Sequence, residues 1–130
     1  MKIVALICRI LLGLMFVVFG LNGFFHFIPQ PTTPPPPDML AFVTVLMKSH
    51  YMVPVFALQV IGGALLLIGR FVPLGLALLG PVIVNILITH ILLQPSGLPP
   101  GAIAAVLWLV LFYAYRQYFA TLFTASAQPS

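Results

Sequence analysis

The sequence predicts an all-α membrane protein: a four-transmembrane-helix bundle with a short interfacial or re-entrant helix after the first span. Three observations carry this. Of 130 residues, 62% are hydrophobic and 5% charged, whereas a soluble domain carries roughly a quarter charged residues and could not otherwise be wetted. The apolar runs long enough to cross a bilayer, at about 20 residues each, number four. Between them lie stretches dense in proline and glycine, which punctuate helices.

The first span is expected over about residues 3–28. Lys2 ahead of an apolar run resembles a secretory leader. The run from Ile10 to Leu21, however, continues into Asn22, Phe24, Phe25 and His26 without a small-x-small cleavage pattern, so it reads as a retained span. Pro29 ends it. Six prolines between Pro29 and Pro37 remove backbone donors and force an extended, polyproline-like connector; a recognition ligand is the weaker reading of this segment.

Asp38 stands where an N-cap would, ahead of MLAFVTVLMK, and residues 38–48 are too few to cross. They are expected as the interfacial or re-entrant helix. The second span is expected over 51–68, with Pro54 tolerated in its first turn. Gly69-Arg70 leaves a turn so short that spans two and three must be antiparallel neighbours. Span three is expected over 71–93, kinked at Pro81, whose missing N–H frees a carbonyl one turn back. QPSGLPPG, residues 94–101, reads as a loop, span four covers about 102–119, and the tail TASAQPS is expected to fray. The Gly62-Gly63 and Gly101/Ala105 pairs are expected to let helix backbones approach. No internal repeat is apparent.

With four spans, Lys2, Arg9, Arg70 and Arg116 fall on one side and Lys48 on the other. The positive-inside rule then puts both termini in the cytoplasm. Trp108, Tyr113, Tyr115 and Tyr118 crowd the cytoplasmic half of span four as an aromatic belt would. The small, scattered net charge of +4 gives nucleic acid nothing to bind. The single cysteine, Cys8, excludes an internal disulfide and CxxC chemistry, and reads as a small lipid- or helix-facing residue.

Polar side chains inside lipid are costly and therefore informative. Asn22 and His26 share a face near the outer end of span one. Gln59 lies two turns into span two, and Asn85 and His90 occupy the outer half of span three. All five fall within the outer leaflet. Two readings stay open: interhelical hydrogen bonding, at about 0.5–2 kcal/mol each, or a pocket for a small ligand between spans one, two and three. Arg9, one or two turns inside, is expected to snorkel to headgroups, and Thr44 to be a plain helix-face residue. Asp38 is the only carboxylate side chain, which excludes paired-carboxylate acid/base work and carboxylate-rich metal sites. Neither a Walker loop nor GxSxG is present. A haem between His26 and His90 is the weakest of the readings.

RILLGLMFVVFGLNGFFHFIPQP (9–31) followed by ALQVIGGALLLIGRFVPLGLALLGPVIVNILITHILL (57–93) resembles the DoxX family of small four-helix membrane proteins over most of the chain. The more specific pieces are GLNGFFHF, the GG-then-GR stretch and the NxxxxH of span three. The resemblance implies a bundle in the cytoplasmic membrane, and some relatives look like subunits of quinone-linked oxidoreductases or partners in redox-stress complexes. It also implies that Asn22, His26, Gln59, Asn85 and His90 match positions kept polar in the family. At Gln59 many members carry glutamate instead, and an amide can neither hold charge nor shuttle a proton. The resulting expectation is a non-catalytic membrane subunit or anchor. It would contact lipid and an oxidoreductase partner subunit or a second copy of itself, and would bind a quinone or lipid at the outer-leaflet polar residues. The alternatives are a cofactor-bearing oxidoreductase component and, more weakly, a small transporter, for which four spans without repeat or buried charge offer little machinery.

Overall fold

The computed structural model describes residues 1–130 and contains helices and loops only. Five α-helices follow in order: α1 (Lys2–Phe25), α2 (Pro37–Lys48), α3 (Met52–Ile68), α4 (Val72–Leu93) and α5 (Leu98–Ala114). Single 3-10 turns occupy Pro95–Gly97, Arg116–Tyr118 and Ala120–Phe123.

Four of these helices pack in a closed order. α1 lies against α3 and α5, and α4 lies against the same two, so α1 and α4 face each other across a diagonal. The glycines fix how closely they approach. A Cβ at Gly63 would stand 2.8 Å from the Gly13 carbonyl oxygen, and one at Gly75 would stand 3.1 Å from the Gly62 oxygen. The Gly62-Gly63 pair thus serves two neighbours at once, Gly62 toward α4 and Gly63 toward α1, because consecutive helical residues point about 100° apart. Their partners Gly13 and Gly75 were not expected from the sequence. Leu12, Leu66, Leu76, Leu79 and Leu111 fill the interior and are fully buried. Against lipid tails their burial stabilises through dispersion and fit, since lipid supplies no hydrophobic drive between helices.

The outside is as apolar as the inside. Only 21 of 130 residues are buried, and Ile3, Leu14, Ile61, Val84, Leu92 and Ile103 are among the many large apolar side chains facing outward. Water does not tolerate continuous apolar surface of this extent. Three helical segments are long and apolar enough to cross a membrane, Lys2–Phe25, Val72–Leu93 and Pro95–Ala114. Up to four qualify if α2 and α3, which meet at 86°, count together. α3 has 17 residues, about 25 Å of helix, somewhat under the hydrocarbon thickness of about 30 Å.

Several boundaries differ from the sequence expectation, each for a local reason. α1 ends at Phe25, not at residue 28, because His26 turns left-handed (φ 52°) and its N–H caps the Asn22 carbonyl. Pro29 already disfavours helix at the residue before it. Asp38 is not the N-cap of α2. Pro36 takes that place and Pro37 opens the helix, since a proline at the first helical position gives up an N–H that would have no partner. Asp38 and Lys48 then sit in the first and last turns, where each complements the helix dipole. α5 begins at Leu98 rather than 102: Pro99 and Pro100 fall in its first turn, where their missing donors cost nothing. It ends at Ala114, and residues 116–123 form two 3-10 turns that return Phe119 to a buried position against Phe112, ring centroids 4.9 Å apart.

Candidate functional site

Of the five polar residues singled out in the sequence, Asn22 and Asn85 bond local backbone, and the side chains of the other three make no hydrogen bond. Asn22 sits in the last turn of α1, and its Oδ1 accepts the Ile28 N–H at 2.8 Å. The side chain thereby closes the chain reversal that His26 begins. His26 itself is exposed; its contribution is a backbone one, as the left-handed residue ending the helix.

Gln59 is the one buried polar side chain, 6% exposed. It lies in the α1–α3 seam, where a Cβ at Gly20 would stand 3.1 Å from its own Cβ. None of the side-chain hydrogen bonds involves it. Asn85 faces outward, and its Nδ2 donates to the Pro81 carbonyl at 2.9 Å, one turn back on the same helix. An amide on an apolar face is satisfied most directly in this way. His90 is half-buried beneath the 95–97 turn. A Cβ at Gly97 would fall 2.6 Å from its Nδ1, and that nitrogen is buried without a hydrogen-bond partner.

The five lie in the same half of the bundle, on three different helices or their ends. Two clefts of several hundred Å³ are defined by their linings, and none of the five lines either one. No side-chain hydrogen bond joins two of them. His26 and His90 belong to α1 and α4, the diagonal pair, and no group of three or more His, Cys, Asp or Glu side chains comes together anywhere.

The side-chain hydrogen bond that does cross between helices was missed. Trp108 Nε1 donates to the Leu76 carbonyl at 2.8 Å, and the indole stacks on Phe112 with ring centroids 5.2 Å apart. Trp108 is thus not part of an aromatic belt. It joins α5 to α4 about one turn before the Gly80-Pro81 pair. The signal was present in the sequence: with span four expected to end near 119, Trp108 stands eleven residues, about 16 Å, inside it. Tyr113 and Tyr118, by contrast, are exposed at that end of the helix.

The first cleft, about 460 Å³, is a groove between α4 and α5 floored by Gly80, Pro81, Trp108 and Phe112 and closed at one end by Phe119 and Leu122. Its lining is almost wholly apolar, so it offers van der Waals contact and no acid, base or nucleophile. The second, about 510 Å³, lies between the first turns of α1 and the end of α5 and carries Lys2, Arg9, Tyr115, Gln117 and Tyr118. Compared with family models, with curated proteins and with solved structures, the chain matches none, and what it displays on its own account is a set of apolar helices of membrane-crossing length.

Proposed function

We propose that the chain is an integral protein of the cytoplasmic membrane that crosses it four times, with both termini in the cytoplasm, and serves as a non-catalytic subunit or anchor. The observation that carries this reading is the outward-facing apolar surface on all four packed helices. α3 is short, yet it runs antiparallel along α1 from the Arg9–Gly69 contact to the Gly23–Phe56 contact. A helix packed along a crossing helix lies at the same depth, which supports counting α3 as a crossing. α2, at 86° to α3 and with only Met39 buried, then lies in the plane of the outer interface. Lys2, Arg9, Arg70 and Arg116 share the opposite end, and four basic residues against Lys48 orient that end toward the cytoplasm.

The anchor reading rests on chemistry that the side chains cannot perform unaided. One carboxylate, at Asp38, and polar side chains of which Asn22 and Asn85 already bond their own backbone leave no nucleophile–base or acid–base pair. The resemblance to DoxX proteins extends the reading to a membrane redox complex, with a quinone or lipid as the small-molecule contact. Gentle solubilisation followed by affinity purification tests it. The expected result is a stable complex with a second protein, together with a quinone or phospholipid detected by mass spectrometry. A chain that migrates alone and carries neither would overturn the reading.

A further inference from the structure

The Arg9 side chain reaches toward the end of the bundle that carries Lys2 and the Gly69-Arg70 turn. Its guanidinium lies against the α3–α4 turn, with Nη1 2.7 Å from where a Cβ of Gly69 would stand. Gly69 is itself left-handed (φ 78°), so that position favours glycine on two counts: backbone conformation and room for the guanidinium. Arg9 Nε is buried and has no hydrogen-bond partner, and Arg9 takes part in none of the side-chain hydrogen bonds. A buried donor on a charged group is expensive to leave unmatched.

Lys2 and Arg9 lie seven residues apart, on one face of α1 and about 10 Å apart along its axis. Between them Ala5 and Leu6 form an apolar wall, and Tyr115, Gln117 and Tyr118 contribute hydroxyl and amide groups from the opposite side of the cleft. The only acidic side chain of the protein, Asp38, is at the head of α2, near the other end of the four packed helices. Two cations therefore converge on a cleft with no acidic side chain to meet them.

We propose that this cleft binds the headgroup of an anionic phospholipid, with Arg9 as the deep ligand of its phosphate and Lys2 as the rim ligand, set against the cation of a zwitterionic headgroup. A planar guanidinium offers paired N–H donors matched to phosphate oxygens. The apolar wall of Ala5 and Leu6 continues into the lipid-facing surface of α1, which suits the glycerol and acyl portion of such a molecule. The depth of the cleft rests on the membrane reading above; its charge and donor arrangement do not. Arg116 supplies an internal control. It belongs to the same end of the molecule but is held elsewhere, with Nη1 bonded to the Tyr113 carbonyl at 2.7 Å and its guanidinium 4.1 Å over the Tyr113 ring.

Native mass spectrometry of the full chain tests this, in micelles doped equally with phosphatidylglycerol and phosphatidylcholine of matched chains. The protein is expected to retain the anionic lipid over the zwitterionic one by about tenfold, because both carry the phosphate that Arg9 meets and only the zwitterionic one brings a cation against Lys2. Arg9→Gln should abolish the preference, Arg9→Lys should leave part of it, and Arg116→Gln should leave it unchanged. Should Arg9→Gln fail to fold, Lys2→Gln and Gln117→Leu at the rim are expected to lower the preference severalfold instead. Equal retention of the two lipids by the unmodified chain overturns the proposal. So does a loss with Arg116→Gln as large as with Arg9→Gln, which is the signature of diffuse attraction of about 1 kcal/mol per basic residue. Inorganic phosphate forms a separate arm: if it alone raises the melting temperature of the unmodified chain while no lipid preference exists, the amphiphile is wrong and the source is free phosphate. If topology mapping places Lys2 outside while the preference persists, the orientation fails and the site stands.

Discussion

Gly63→Ala is the substitution whose outcome the packing fixes most tightly. The added Cβ would stand 2.8 Å from the Gly13 carbonyl oxygen and 2.9 Å from the Val17 backbone nitrogen, and both are atoms of a helix backbone that cannot rotate aside. Ordinary contact begins near 3.5 Å, so α1 and α3 must part by about 0.7 Å at this level. A gap of that size forfeits between about a quarter and a half of the dispersion energy of the lining atoms, and overpacking of this kind costs typically about 1–3 kcal/mol. Against it stands the higher helix propensity of alanine, up to about 1 kcal/mol. The steric loss wins, and a net destabilisation of about 1–2 kcal/mol is expected. Gly80→Ala is the matched control. Its Cβ would meet only the Trp108 ring, at 3.2 Å, a milder conflict than two backbone atoms under 3 Å, so a loss smaller than that of Gly63→Ala is expected. The assay is equilibrium unfolding in mixed micelles of rising dodecyl sulfate fraction, followed by circular dichroism. Gly13→Ala combined with Gly63→Ala should cost less than the sum of the two, because parted helices already admit the second methyl. A Gly63→Ala protein as stable as the parent, or one no less stable than the Gly80→Ala protein, would refute the close α1–α3 approach.

His26→Gly should stabilise by about 0.5–1 kcal/mol in the same assay, since glycine takes the left-handed conformation at φ 52° without a Cβ penalty; a loss of more than 1 kcal/mol would show that the imidazole makes an interaction of its own. Asn22→Leu should cost about 1 kcal/mol by removing the acceptor of the Ile28 N–H, whereas Asn22→Asp keeps that acceptor and should recover most of the loss. Trp108→Phe keeps the stack on Phe112 and removes the donor to the Leu76 carbonyl; about 0.5–1.5 kcal/mol is expected, with a blue-shifted, intense tryptophan fluorescence in the parent that reports its apolar surroundings. If a polar quencher such as acrylamide reaches Trp108 freely, the interhelical placement is wrong.

The helical class and the positions of the helices were legible because composition and proline punctuation are strong signals in a chain this apolar. The ends of α1, α2 and α5 moved by one to five residues for reasons that act locally. A left-handed residue can end a helix early, as His26 does, and prolines at 37, 99 and 100 can open one. Gly62-Gly63 announced close packing, but which neighbour each glycine met depended on Gly13 and Gly75 in other helices, and pairing across helices leaves no trace in a single apolar sequence. The polar residues were easy to find and hard to interpret. Depth along a helix places Asn22, His26, Gln59, Asn85 and His90 in one half of the bundle, but the direction each side chain faces decides whether they meet. Asn85 faces outward and bonds its own helix, while Gln59 faces the α1–α3 seam. Arg9 was legible as an intramembrane charge, yet its contact with Gly69 requires the fold.

Single-cysteine accessibility mapping tests the four-crossing account most directly. Cys8 is buried and is the only native cysteine, so a Cys8→Ser background allows one reporter at a time at Thr32, Arg70, Ser96 and Ser126. In intact cells a membrane-impermeant maleimide is expected to label the reporters at 32 and 96, and to label those at 70 and 126 only after the membrane is opened. Labelling of 32 and 70 from the same side would mean that α3 does not cross, and would contradict the account.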